Sequence, residues 1–121
     1  MKIYKHTPDF NFCRWILLNC IKSSNGIFIY NRNIYSGEEL YGRYRCEVLN
    51  AVMNIFRVSF IDLKSKNKYT ELLEARRLLY SMTDVTFCMN VIGMNRRTVE
   101  QYNKLPENSD LVDRVMRIIT E

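Results

Sequence analysis

The stretch Ile92-Gly93-Met94-Asn95-Arg96 constrains this chain more than any other, because it sets a glycine and a capping residue between two runs of helical periodicity. A glycine just past a helix takes the left-handed conformation that closes the last turn. An asparagine two positions later can accept a hydrogen bond from the free amides of the next helix. The spacing predicts one helix from Val85 to Ile92 and a second from Arg96 to Lys104, with a sharp corner between them and Leu105-Pro106 as the stop. Ile92, Met94, Val99 and Tyr102 form the small apolar core of that corner.

The rest of the chain is also read mainly as helix. Thr7-Pro8-Asp9 is a helix start, and Phe10, Cys13, Ile16, Leu17, Cys20 and Ile21 continue at helical spacing until Ser23-Ser24-Asn25-Gly26, giving a helix over about 8 to 22. Ile27 to Tyr30 and Ile34-Tyr35 flank Asn31-Arg32-Asn33 and read as a small hairpin or as an extended connector. Ser36-Gly37-Glu38-Glu39 fits a capping box, and Leu40, Tyr44, Val48, Ala51, Val52 and Ile55 carry a stripe over about 37 to 56. Ser59 and Asp62 open a short turn of helix that ends near Leu63. Leu72, Ala75, Leu79 and Met82 mark a further helix, which Thr83-Asp84 ends while capping the next. Ser109 and Asp110 start a last helix with Leu111, Val112, Val115, Ile118 and Ile119 on its apolar face.

With 121 residues, 47% hydrophobic and 26% charged, the chain fits one domain with a real core. The net charge of +5 favours polyanions, and its placement is informative. Lys64, Lys66, Lys68, Arg76 and Arg77 against Glu71 and Glu74 leave +3 in residues 64 to 77, beside the glycine corner. Cys13, Cys20, Cys46 and Cys88 form no Cys-x-x-Cys pair, and His6 is the single histidine, so neither a zinc site nor another cofactor is expected and the thiols read as buried and reduced. One histidine, no nucleophile motif and acids placed at helix starts or beside basic residues argue against an enzyme. Apolar stretches such as Trp15 to Leu18 fall far short of the ~20 residues that span a bilayer. No membrane association is expected.

Two short helices meeting at a glycine turn, with a basic outer face on the second, are the parts of a helix-turn-helix. Its second helix would present Asn95, Arg96, Arg97, Glu100 and Gln101 outward. Arginine can donate two parallel hydrogen bonds to guanine and glutamine can pair with adenine, each discriminating by roughly 1–3 kcal/mol. Asn95 and Thr98 suit a cap and a phosphate contact. Double-stranded DNA is the partner this pattern implies.

From about Tyr44 to Glu121 the chain also resembles the C-terminal DNA-binding domain of the bacterial replication initiator DnaA. The segment Asn50 to Lys66 resembles that family's opening helix and its Ile-Ser-x-x-Asp-Leu-x-Ser-Lys element, here Val58-Ser59-Phe60-Ile61-Asp62-Leu63-Lys64-Ser65-Lys66. Glu71-Leu72-Leu73-Glu74-Ala75-Arg76-Arg77 to Tyr80 resembles the Glu-Ile-Val-x-Ala-Arg-Gln helix, and Ser109-Asp110-Leu111 onward the closing helix. The resemblance implies that Lys68 reaches a minor groove from a basic loop, with Lys66 and Arg76 beside it. The family's recognition helix begins Asp-His-Ser/Thr-Thr-Val, and of Asn95-Arg96-Arg97-Thr98-Val99 only Thr98 and Val99 agree. DNA contact is implied, and the initiator's own target is not. No phosphate loop of the Gly-x-x-x-x-Gly-Lys-Ser/Thr type occurs, so no ATPase activity is implied.

The expected fold is therefore mainly α, a helical bundle carrying a helix-turn-helix, with an N-terminal helix and a short β-hairpin. Residues 44 to 121 are read as the DNA-binding unit and residues 1 to 43 as a packing or partner-binding extension. The DNA-binding candidates are Lys66, Lys68, Arg76, Asn95, Arg96, Arg97, Thr98, Glu100, Gln101 and Lys104. Phe10, Phe12, Trp15, Phe28, Tyr30, Tyr35 and Tyr41 crowd the extension; they either cover the bundle or, if exposed, suit a homodimer or another protein partner. The expected role is sequence-specific regulation of transcription or replication in a bacterial cytoplasm, and a phage or plasmid would suit so short a version of an initiator domain. The competing reading is a structural or virion-associated protein that keeps such a fold without reading DNA.

Overall fold

The computed structural model describes residues 8–22, 27–102 and 108–120, with the side chains of 8–10 and 22 set aside. The elements run α1 (Pro8–Asn19), β1 (Ile21–Lys22), β2 (Ile27–Tyr30), β3 (Asn33–Ser36), α2 (Gly37–Phe56), α3 (Phe60–Lys64), α4 (Thr70–Met82) and α5 (Val85–Phe87). The last of these runs straight into a π-helical segment, Cys88–Ile92, which is followed by α6 (Arg96–Tyr102) and α7 (Ser109–Thr120). The fold is mainly α, as the periodicity predicts.

Helices α1, α2, α4 and α7 pack on one another as the body. Helix α2 starts where expected: the Ser36 hydroxyl accepts from the Glu39 amide and the Glu39 carboxylate accepts from the Ser36 amide, a closed capping box. Its stripe Leu40, Tyr44, Val48, Ala51 and Val52 is buried. Ser59 and Asp62 close a second box at α3, and the Ser59 hydrogen bonds hold the Asp62 carboxyl below its usual range. Thr83 and Asp84 part α4 from α5, the Thr83 hydroxyl donating back to the Leu79 carbonyl and the Asp84 carboxylate accepting from the Phe87 amide.

One boundary and one helix face differ from the sequence reading. Helix α1 stops at Asn19 rather than near residue 22, because Ile21 and Lys22 leave it to pair with Ile29 and Phe28. The Asn19 side chain donates to the Trp15 carbonyl and closes the last turn. Helix α7 starts at Ser109 as expected, with the Asn108 side chain before it accepting from the Leu111 amide. The buried stripe of α7 is Val112, Val115, Met116 and Ile119, an i, i+3, i+4, i+7 set, and Ile118 falls outside it toward solvent.

The hairpin is present and belongs to a three-stranded antiparallel sheet in the order β1-β2-β3. Asn31 and Arg32 both take positive φ, 49° and 64°, as a two-residue turn between right-twisted strands requires. Of the N-terminal aromatics, Phe12, Trp15, Phe28, Tyr30, Tyr35 and Tyr41 turn inward, and the Phe10 side chain lies outside the described residues. Trp15 is fully buried, its ring centroid 4.9 Å from that of Tyr30 and 5.6 Å from that of Tyr44, and its indole N–H donates to the Ile119 carbonyl. Trp15 shares one buried cluster with Val48, Leu79 and Val115, and the boundary read between residues 43 and 44 falls inside α2. The N-terminal helix is thus part of the core.

Candidate nucleic-acid interface

Helix α5, the π-helical segment and α6 build the glycine corner, which packs on α3 and α4. Asp84 starts it, with Arg45 paired to its carboxylate at 3.4 Å. The chain then widens, because the amides of Gly93 and Met94 both donate to the Cys88 carbonyl in place of regular α-helical bonds. Gly93 closes the segment at φ 86°, a left-handed conformation that costs an ordinary L-residue about 1–2 kcal/mol. π-helical turns of this kind recur at functional positions. Sequence periodicity predicted one regular helix here, and the wider turn is the correction.

After the corner the Asn95 side chain accepts from the Thr98 amide at 2.8 Å, the cap expected of it. Ile92, Met94 and Val99 are buried, and the Tyr102 ring lies 6.0 Å from that of Tyr80. Those four residues fix α6 against α4. The opposite face of α6 is open: Asn95, Arg96, Arg97, Glu100 and Gln101 are all exposed, and Thr98 is half-buried. Arg96 and Glu100 form an i, i+4 ion pair at 3.3 Å. Lys104 lies outside the described residues.

A second basic element faces this helix. Lys64, Lys66 and Lys68 are exposed on the loop between α3 and α4, and the Lys64 ammonium sits 5.3 Å above the Phe60 ring. The loop is held from below by Arg76. That side chain is only 7% exposed, and its guanidinium donates to four backbone carbonyls, those of Asp62, Leu63, Ser65 and Asn67, at 2.8–3.2 Å. Its donors are engaged by the loop, so Arg76 shapes the basic surface and shows only a small part of itself there.

The loop and the corner enclose a groove of about 600 Å³, with Lys64, Lys66 and Lys68 on one wall and Gly93, Asn95 and Thr98 on the other. Arg76 and Tyr102 also line it. The Tyr102 hydroxyl is buried and has no hydrogen-bond partner among the described residues. Burial pushes its ionisation up, against the pull of the nearby Arg76 guanidinium, and so keeps it a neutral donor. Of the sequence-derived candidates, the structure brings Lys66, Lys68, Arg76, Asn95 and Thr98 to one groove. Arg96, Arg97, Glu100 and Gln101 lie on the adjoining outer face of α6.

Two groove residues were missed from sequence. Lys64 continues the alternate lysine spacing of Lys66 and Lys68, a signal that was available. The Tyr102 hydroxyl gave none, since an aromatic at an inward helical position reads only as core. Among the described residues no three His, Cys, Asp or Glu side chains gather to hold a metal ion. All four cysteines are unpaired. Only Cys88 is fully buried; Cys13 and Cys46 are exposed, because they fall on the outer faces of α1 and α2, which corrects the reading of buried thiols. No described helix is long and apolar enough to cross a membrane. Comparison with protein-family models, with curated proteins and with solved structures finds no match for this chain.

Proposed function

We propose that the chain binds duplex DNA in a sequence-specific manner through this helix-turn-helix and thereby regulates transcription or replication. The observation that carries the reading is that two basic elements, chosen separately from sequence, line one groove and its rim. Helix α6, with seven residues, is roughly 10 Å long and fits a major groove roughly 12 Å wide. Arg97 and Gln101 are its base-reading residues, and Lys64, Lys66 and Lys68 hold the phosphate backbone alongside. The resemblance to the initiator's DNA-binding domain points the same way. Arg96 is tied to Glu100, and an acid at this surface weakens binding to every sequence alike.

The test is binding to random duplex pools over a salt series. Four phosphate contacts predict that log affinity falls with log salt at a slope of roughly −3.6. Binding that is absent at low ionic strength, or present but indifferent to salt, contradicts the proposal. The competing role as a structural or protein-interaction component is favoured by the apolar outer face of the sheet. It predicts a stoichiometric protein partner in a pull-down that nuclease treatment does not release.

A further inference from the structure

The three-stranded sheet has two apolar faces, and among the described residues only one is covered. Its register puts Phe28 opposite Tyr35, and these side chains, with Tyr30, pack against the core. The same register puts Ile21 opposite Ile29 and Ile29 opposite Ile34, so three isoleucines form one row across all three strands on the other face. Ile27 stands two residues from Ile29 on that face. Ile21 is 67% exposed, Ile34 72%, Ile27 41% and Ile29 37%. Large β-branched side chains in a row are what a sheet presents to another sheet, and water is a costly neighbour for them.

We infer that this isoleucine face is a homodimer interface, against which the same face of a second copy packs. The area fits a second copy. The four isoleucines leave on the order of 400 Å² of surface in water, within the range for the largest patch on a monomer and about half of the roughly 800 Å² that each partner contributes to a standard interface. The chemistry fits as well. The described side chains of the row carry no charge, so an identical face meets it without burying an unpaired ion. At the ends of β3 the charges are opposite, with Arg32 before it and Glu38 after it, both exposed. A two-fold axis crossing the strands runs β3 antiparallel to its copy and sets Arg32 against the partner's Glu38, twice, at the polar rim. Two stacked sheets about 10 Å apart then interdigitate their isoleucines.

The dimer is independent of the DNA-binding reading; only its consequence rests on that reading. A seven-residue recognition helix covers about three base pairs, and a second copy supplies the second half-site of a two-fold symmetric operator.

The test is sedimentation of the full chain without DNA, from roughly 1 to 100 µM. The expected result is a mass that rises to twice that of one chain. Ile34→Thr keeps the β-branch and lies at an exposed position, so the fold should survive, and it is expected to weaken dimerisation at least tenfold with an unchanged helical circular dichroism spectrum. Ile21→Thr, at the other edge of the row, should do the same, which keeps the test sound if one variant fails to fold. A chain that stays monomeric at 100 µM overturns the proposal, and so does a dimer that neither folded variant weakens. Loss of DNA binding with the dimer intact removes the half-site consequence and leaves the interface standing.

Discussion

The two ends of this small protein use their polar groups in opposite ways. At the aromatic end, Trp15 and Tyr44 turn their N–H and O–H inward, onto the Ile119 and Met82 carbonyls, so both buried rings have their polar atoms paired. At the groove end, Lys64, Lys66 and Lys68 stand in water and the buried Tyr102 hydroxyl lacks a partner. Satisfied buried groups give stability, and unsatisfied ones at a surface leave chemistry available to a ligand. On the proposed function the first region serves stability and the second binding, and that contrast can be broken at either end.

The largest expected effect is at the aromatic end. Trp15→Ala removes a fully buried ring and should cost about 3–5 kcal/mol in denaturant unfolding, whereas Arg97→Ala should change stability by less than about 0.5 kcal/mol. A small loss for Trp15→Ala would mean that α1 is an appendage after all. Arg76→Ala comes next. It strips four carbonyls of their donor and should cost about 2–3 kcal/mol, with faster hydrogen exchange across residues 62 to 68 and weaker binding to all DNA sequences. Unchanged exchange there would show that the loop holds its shape without the guanidinium.

Smaller effects sharpen the comparison. Glu100→Gln frees Arg96 from an exposed ion pair and should tighten binding to any duplex by about threefold, with little change in stability. Equal or weaker binding would mean that this face of α6 does not approach phosphate. Cys88, beneath the groove, has its thiol pushed up to about 12 by burial, so it should resist thiol reagents at pH 8 while exposed Cys13 and Cys46 react. The sign of its pH effect follows. The unfolded thiol ionises above 9.0 and the folded one does not, so the unfolded state gains and stability falls from pH 9.0 through about 12. Cys88→Ala should flatten that fall in denaturant titrations.

Much of this was legible in the sequence because it is local. The Ser36–Glu39 box, the Thr83-Asp84 break, the Gly93 corner and the Asn95 cap depend on residues within four positions of one another, and each stands where expected. What escaped depends on neighbours the sequence does not order. Arg76 sits in a basic stretch and read as surface; its burial comes from carbonyls 9 to 14 residues earlier that fold back over it. Ile27-Phe28-Ile29-Tyr30 is apolar throughout, so its pattern does not mark which side of the hairpin stays open. The π-helical segment has the same apolar spacing as a regular helix over so few residues, and periodicity does not tell them apart.

The central claim is that the lysine loop and α6 grip one duplex, the loop by its backbone and the helix by its bases. The most direct test compares Arg97→Ala with Lys68→Ala on a selected preferred site and on random DNA. Arg97→Ala should weaken the preferred site by about 5- to 150-fold and random DNA far less. Lys68→Ala should weaken both by one factor and make the salt slope shallower by about 0.9. Equal losses at both sites in both variants, or no loss in either, would contradict the account.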